Sequence, residues 1–293
     1  MKGKTVLITG ASSGIGFAMA MTLARMGARI LLVCRDPKRG ADAQTAVADV
    51  ATETAPRLLH ADLSSLHQVR ALGDDLHRDF PAIDVLINNA AGIFSERRLT
   101  GDGFERTFAI NYLAPFLLTN LVIDLLKAAS NARIVNVAAE SPLARLDFDN
   151  LQGEKRYGFL SAYFRSKLEN IIFSNELARR LDGSGVTVNS MSPGPTRTRF
   201  GDNMTGLPAL FPFVMKRLFP GAESGARTLV YLASSPEVEG VTGQFFFRQR
   251  ARITRPVTMD REVAARLWQI SVDLVGLPAD ILPAVPQGSR SAA

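Results

Sequence analysis

Thr9-Gly10-Ala11-Ser12-Ser13-Gly14-Ile15-Gly16 is the stretch that decides how the rest of the chain is read. It lies between a short apolar run, Lys4 to Ile8, and an amphipathic one, Ile15 to Met26, so it joins a strand to a helix. Three glycines at such a junction let the backbone turn tightly off the strand and approach a pyrophosphate closely. They also seat a helix whose first N–H groups face the anion. Gly10, Ser12, Ser13, Gly14, Ile15 and Gly16 are therefore expected to hold a dinucleotide.

Outward from the loop, strand and helix signals alternate. Ala28 to Val33 is a second β-rich run, followed by Asp36-Pro37, a capping residue with proline at the first helical position. Apolar runs recur at Arg57 to His60, Ile83 to Ile87, Ala132 to Val137, Val186 to Ser190 and Gln244 to Phe247, with helix-length stretches between them. This predicts an α/β fold of the Rossmann type, a doubly wound parallel sheet of about seven strands with helices on both faces. The 293 residues, 46% of them apolar, suffice for one core. A single domain over 1–277 is expected, with a substrate lid near 200–222, rich in phenylalanine, leucine, methionine and glycine, and a C-terminal extension over 248–277. The proline-containing residues 278–293 read as a flexible tail.

Composition narrows the function classes. One cysteine, Cys34, excludes an internal disulfide and a thiol metal cluster, which suits a reducing compartment. His60, His67 and His77 lack metal-ligand spacing. No room for a secretory signal precedes the first strand, so a cytoplasmic protein is expected. Leu207 to Phe219 is too short and too interrupted to span a bilayer. The net charge of +6 gathers partly at Arg248, Arg250, Arg252 and Arg255, but no aromatic-interleaved recognition motif accompanies it, so an anionic dinucleotide rather than nucleic acid is the expected partner.

Tyr163 and Lys167 lie four residues apart on one face of a helix expected from Ser161 to Leu181. A phenol beside an ammonium can exchange a proton, and the cation is expected to stabilise phenolate and lower the phenol's pKa toward the working range. Pro115, four residues after Asn111, has no N–H to offer the Asn111 carbonyl, which predicts a helix irregularity there. The second strand ends Val33-Cys34-Arg35 without a carboxylate for a ribose, and Arg35 offers a charged fork to a 2′-phosphate, so NADP(H) is favoured over NAD(H). Asp62 has two open roles, adenine contact or cap of a helix beginning near Ser64.

The glycine spacing, Tyr163-x-x-x-Lys167 and Pro193-Gly194 together resemble the short-chain dehydrogenase/reductase superfamily. Asn150-Leu151-Gln152-Gly153-Glu154-Lys155 and Tyr163 to Val186 resemble its retinol-dehydrogenase-like branch, and the resemblance runs from Lys4 to about Gly276. It implies that Asn88-Asn89-Ala90-Ala91-Gly92 shapes the floor beneath the cofactor, with Asn89 and Ala90 in contact, and that the Asn111 main chain holds a water linked to Lys167. It implies that Pro193, Gly194, Thr196 and Thr198 hold the nicotinamide carboxamide. The family's catalytic serine falls at Ala139 here, and Ser141 lies two residues on, roughly 7 Å along a continued strand and on its same face. The resemblance thus implies reversible carbonyl–alcohol conversion of a small apolar substrate, in a chain that is a candidate homo-oligomer. Two other classes stay open: a redox-neutral cyclase or isomerase on the same fold, and a non-catalytic NADP-binding protein.

Overall fold

A computed structural model of the chain describes residues 1–194 and 221–282. Its sheet has eight strands in the order β3-β2-β1-β4-β5-β6-β7-β8. The strands are β1 (Thr5–Thr9), β2 (Arg29–Cys34), β3 (Arg57–His60), β4 (Val85–Asn88), β5 (Arg133–Val137), β6 (Thr187–Ser192), β7 (Phe245–Phe247) and β8 (Arg250–Arg252). All pairings are parallel except β7 with β8.

Strand periodicity divides the core in two. Leu7, Leu31 and Val33 point to one face, where they meet Val69, Leu72, Phe116, Leu168, Ile172 and Trp268. Val6, Ile8, Ile30 and Leu32 point to the other, against Met19, Leu23 and Leu229. The central strands β1, β2 and β4 must therefore be apolar on both sides, which is why these segments read as near-continuous apolar runs rather than alternating ones. The helices that cover the sheet are α1 (Gly14–Arg25), α2 (Pro37–Ala48), α3 (Leu66–Asp79), the short α4 (Arg106–Phe108), α5 (Ala114–Leu121), α6 (Ile123–Lys127) and α7 (Phe159–Arg180), followed by Ala222–Ser234 and Arg261–Val275. The last of these lies on α7 and α5: Trp268 meets Phe116 edge-on at 5.0 Å, and the Tyr112 hydroxyl bonds Ser271 Oγ at 2.7 Å.

Several sequence expectations need correction. The eighth strand was not foreseen, because all of Arg250–Arg252 is exposed and shows no apolar pattern. It forms because Arg248 and Gln249 both take positive φ (51° and 62°), the two-residue turn that matches strand twist and folds the chain back on β7. Asp62 caps no helix: its Oδ1 accepts from the N–H and hydroxyl of Ser64 in a turn, and α3 starts at Leu66 with Ser65 as its cap. Within the expected tail, Leu282 packs on the domain, since it is buried and its carbonyl accepts from Arg180 Nη1, while Pro278 to Asp280 are exposed. Asp36 does cap α2, accepting from the Arg39 N–H at 2.9 Å. The proposed lid residues 200–220 and the tail beyond 282 lie outside the described residues.

Candidate active site

Strand order reverses between β1 and β4, since the chain proceeds to β2 and β3 on one side and to β5 and β6 on the other. A crevice opens at the carboxyl ends of the strands at such a reversal. The glycine loop follows β1 and the segment Asn88–Gly92 follows β4, so sequence-distant motifs meet there.

Their junction is backbone against backbone. Gly10 has φ +68°, and a Cβ there would sit 2.9 Å from Ala90 Cα. A Cβ on Gly16 would lie 2.6 Å from both Asn89 Nδ2 and the Gly10 carbonyl. Gly14, with φ +58°, turns the chain into α1. The Thr9 hydroxyl accepts from the N–H groups of Asn89 and Ala90, and Asn89 Nδ2 donates to the Thr9 carbonyl at 2.9 Å. Asn89 and Ala90 thus fix the β4 end onto the loop. At the start of α1, Ser13 makes no side-chain cap bond and the first turn holds no acidic residue, so the donor set there suits an anion. Ser12 shares a hydrogen bond with the Cys34 thiol, whose pKa burial nonetheless raises. Arg35 stands exposed one residue beyond β2. A cavity of about 290 Å³ is lined by Ser12, Ser13, Phe17, Arg39, Asp42 and Ala43. A second cavity of about 210 Å³ sits at the amino ends of β5 and β6, among Asn131, Arg133, Asp182 and Glu239, and is lined by no candidate residue.

The other wall is α7. Lys167 is 2% exposed, and its Nζ donates to the Val137 carbonyl at 2.8 Å where β5 ends, 5.8 Å from the Tyr163 ring centre. Burial lowers the Lys167 ammonium to about 7 and pushes the Tyr163 phenol well above its ordinary range. The expected lowering of the phenol by its neighbour is therefore reversed: desolvation of two charge-bearing groups outweighs their attraction at this separation. Burial thus keeps the Tyr163 phenol protonated.

A chain of buried side-chain bonds ties this wall to the sheet. Asn88 Nδ2 donates to Thr119 Oγ1 and Asn136 Oδ1, and Asn136 Nδ2 donates to Ser174 Oγ at 2.8 Å. Ser174 Oγ donates to the Asn170 carbonyl, and Asn170 Nδ2 donates to the Asn111 carbonyl at 2.7 Å. Asn111 lies in a π-helical turn, Ala109–Leu113, so the irregularity expected from Pro115 is present. Its freed carbonyl is bonded by Asn170, one of the two bonds a carbonyl oxygen can accept. The Asn111 side chain also accepts from the Gly92 N–H and donates to the Gly92 carbonyl and Ser166 Oγ, clamping the β4 loop to α7.

β5 stops at Val137, so the same-face relation expected between residues 139 and 141 does not arise. Ser141 instead closes a turn, its Oγ accepting from the Leu143 N–H and its carbonyl from the Ala144 N–H. Arg255 brackets this loop, with Nε on Glu140 Oε1 at 2.6 Å and Nη1 on the Ala144 carbonyl. In Asn150–Lys155, Asn150 bonds Lys155 and Arg156 main-chain groups, and Gln152 accepts from the Glu105 N–H, setting the approach to α7. Gly194 takes φ +70° after β6, against Phe247; Thr196 and Thr198 lie outside the described residues. Sequence reading missed Asn170, Ser166, Asn136 and Arg255. Asn170 alone had a usable signal, standing three residues after Lys167 and seven after Tyr163, on the same helix face.

Residues 4–206 match the short chain dehydrogenase family. The chain belongs to that family. Retinol dehydrogenase 14 of Homo sapiens is 43% identical over 295 residues, covering 94% of this chain and 88% of its own length. DnrU of Streptomyces sp. (strain C5), named as a candidate daunorubicin C-13 ketoreductase, is 41% identical and is covered to 94%, as is this chain. The Pseudomonas aeruginosa RhlG/NADP active-site complex superposes with TM-score 0.67 at 25% identity, over 84% of this chain and 94% of RhlG. The protein is thus an oxidoreductase of the retinol dehydrogenase type. Among the described residues no helix is long and apolar enough to cross a membrane, and no histidine, cysteine and carboxylate cluster could hold a metal.

Proposed function

We propose that the chain is an NADP(H)-dependent oxidoreductase interconverting a lipophilic ketone or aldehyde and its alcohol. The observation that carries this reading is the placement of half-buried Tyr163 beside buried Lys167 on α7, with Lys167 bonded at the end of β5, on the crevice whose other wall is the glycine loop. Bound in that crevice, a nicotinamide cofactor supplies or accepts the hydride. Gly10 and the first turn of α1 hold its diphosphate, Arg35 meets the 2′-phosphate, and Thr198 with Thr196 clamps the carboxamide. Tyr163, kept protonated by burial, donates its proton to the substrate oxygen during reduction. Lys167, with a pKa near 7, gains charge as pH falls through neutrality and stabilises the resulting phenolate. The names of two relatives support an apolar substrate: retinol is a hydrocarbon alcohol, and a C-13 ketone on daunorubicin is a carbonyl on a polycyclic framework.

Ala139 favours one second reading. Without a hydroxyl at the family's serine position, carbonyl polarisation weakens, and a redox-neutral rearrangement on the same fold tolerates that loss. Initial rates on a panel of apolar aldehydes and ketones, with NADPH and with NADH, test the first reading. It expects turnover that favours NADPH; tight nucleotide binding with no turnover of any carbonyl would remove it.

A further inference from the structure

The loop that leaves β5 carries residue 139, and one side chain from far along the sequence fixes it. Lys167 Nζ holds the Val137 carbonyl where the strand ends, and the Ala138 N–H donates to the Met191 carbonyl at 2.7 Å. Further along, Ser141 bonds within its own turn, to Leu143 and Ala144. Among the described residues, the hydrogen bonds that tie Glu140 and Ala144 to the fold beyond this loop both come from Arg255, with Nε on Glu140 Oε1 at 2.6 Å and Nη1 on the Ala144 carbonyl at 2.8 Å. Arg255 is itself anchored to α7. Its carbonyl accepts from the N–H and the hydroxyl of fully buried Thr258, and the Thr258 carbonyl accepts from Asn175 Nδ2 at 2.8 Å. Asn175 stands on the helix that bears Tyr163 and Lys167. One helix thus holds the loop by two routes, through Lys167 at residue 137 and through Asn175, Thr258 and Arg255 at residues 140 and 144.

As a stabilising contact the Glu140–Arg255 pair is poorly built. Glu140 Oε2 and Arg255 Nη2 are both buried without a partner, so the pair meets at one point where a carboxylate and a guanidinium can form two parallel bonds. An ion pair that leaves a buried donor and acceptor unmet returns little stability, but it still fixes the register of the segments it joins. We infer that Arg255 and Glu140 are positioning residues for the reaction, setting the place of residue 139 and of the substrate oxygen relative to Tyr163. The inference rests on the oxidoreductase reading, in which the loop after β5 flanks the reacting carbonyl. Both side chains act through that loop, and it is the hydrogen bond to Glu140 rather than its charge that carries the effect.

Steady-state reduction of a panel of apolar aldehydes and ketones by the full chain at saturating NADPH, beside NADPH titration and thermal unfolding of each variant, tests this. Arg255→Ala should lower kcat by about ten- to a hundred-fold, the effect of displacing a reacting group by about an ångström, with NADPH affinity within about threefold of wild type. Glu140→Ala should fall with it, and the double variant should fall no further than either single one, because the two side chains act as a unit. Glu140→Gln keeps an acceptor for Arg255 Nε and should recover most of what Glu140→Ala loses. A merely structural pair would lower the unfolding temperature and leave the kcat of folded protein intact. That result in Arg255→Ala, or in Glu140→Ala where Arg255→Ala does not fold, would overturn the assignment while leaving the oxidoreductase reading standing. So would a Glu140→Gln as slow as Glu140→Ala, which would make the charge responsible. A wild-type chain that turns over no carbonyl would instead remove the oxidoreductase reading, and this inference with it.

Discussion

The two walls of the crevice are built by different means. On the glycine side, Gly10, Gly16, Ala90 and Asn89 meet as backbone on backbone, with gaps too small for a single added carbon. On the α7 side, buried side chains hold the geometry, through Asn88, Asn136, Ser174, Asn170 and Asn111 and through Lys167 on the Val137 carbonyl. A wall made of absent side chains tolerates almost no substitution but demands little chemistry. A wall made of amides and hydroxyls depends on each member having its partner, because a buried polar group left unpaired costs about 1–3 kcal/mol.

The sharpest way to separate the walls is Tyr163→Phe. Removing the transferable proton should lower turnover by about 10² to 10⁴ while leaving nucleotide affinity nearly unchanged. Steady-state rates beside nucleotide titration check this, and full activity would take Tyr163 out of the chemistry. Ala139→Ser should work in the opposite direction, raising reduction of generic aldehydes and ketones by up to roughly 10² to 10³, the effect of one preorganised donor. Ser141→Ala is its control. Since Ser141 closes a turn with Leu143, its loss should shift loop stability more than turnover; a kill by Ser141→Ala with no gain from Ala139→Ser would show a displaced donor instead.

Smaller effects belong to the packing. Gly16→Ala introduces a carbon 2.6 Å from Asn89 Nδ2 and the Gly10 carbonyl, and should cost about 1–3 kcal/mol in denaturant unfolding together with nucleotide affinity. Glu169→Gln probes a buried carboxyl on α7. Glu169 is fully buried, 4.0 Å from Arg165 and near Glu105, and burial raises its pKa from the ordinary 4.5 to about 8. Between those values the folded chain keeps a proton that the unfolded chain has lost, so stability falls as pH rises through that window. The slope is at most about 1.4 kcal/mol per pH unit. Thermal unfolding from pH 5 to 8 should show the variant gaining on the wild type as pH rises; parallel curves would mean Glu169 ionises normally.

The fold was legible because central parallel strands buried on both faces leave near-continuous apolar runs, and seven of the eight strands lie where the sequence shows an apolar run. β8 was not, since its definition lies in a turn with positive φ rather than in hydrophobic pattern. The glycine loop, Tyr163 and Lys167 announced themselves by spacing. Pro115 announced that the Asn111 carbonyl is freed from its ordinary helical bond, because a missing N–H is a local property, though not that the turn there is π-helical. The fate of the freed carbonyl was not local, as it depends on Asn170 from a helix 59 residues away. The phenol's pKa was misjudged for a similar reason: charge neighbours can be read from a helix face, whereas depth of burial is set by the whole core. Arg255 reaching Glu140 across the fold left no mark in the sequence at all.

The central claim is that hydride chemistry, with Tyr163 as proton donor, takes place in this crevice. Reaction of wild-type chain with an apolar carbonyl substrate and NADPH carrying deuterium at the transferable position, followed by mass analysis of the product, tests it most directly. The account predicts one deuterium on the former carbonyl carbon for each NADPH oxidised, with the same labelling at a far lower rate in Tyr163→Phe. Product that forms without label and without nucleotide oxidation would contradict it and establish the redox-neutral reading in its place.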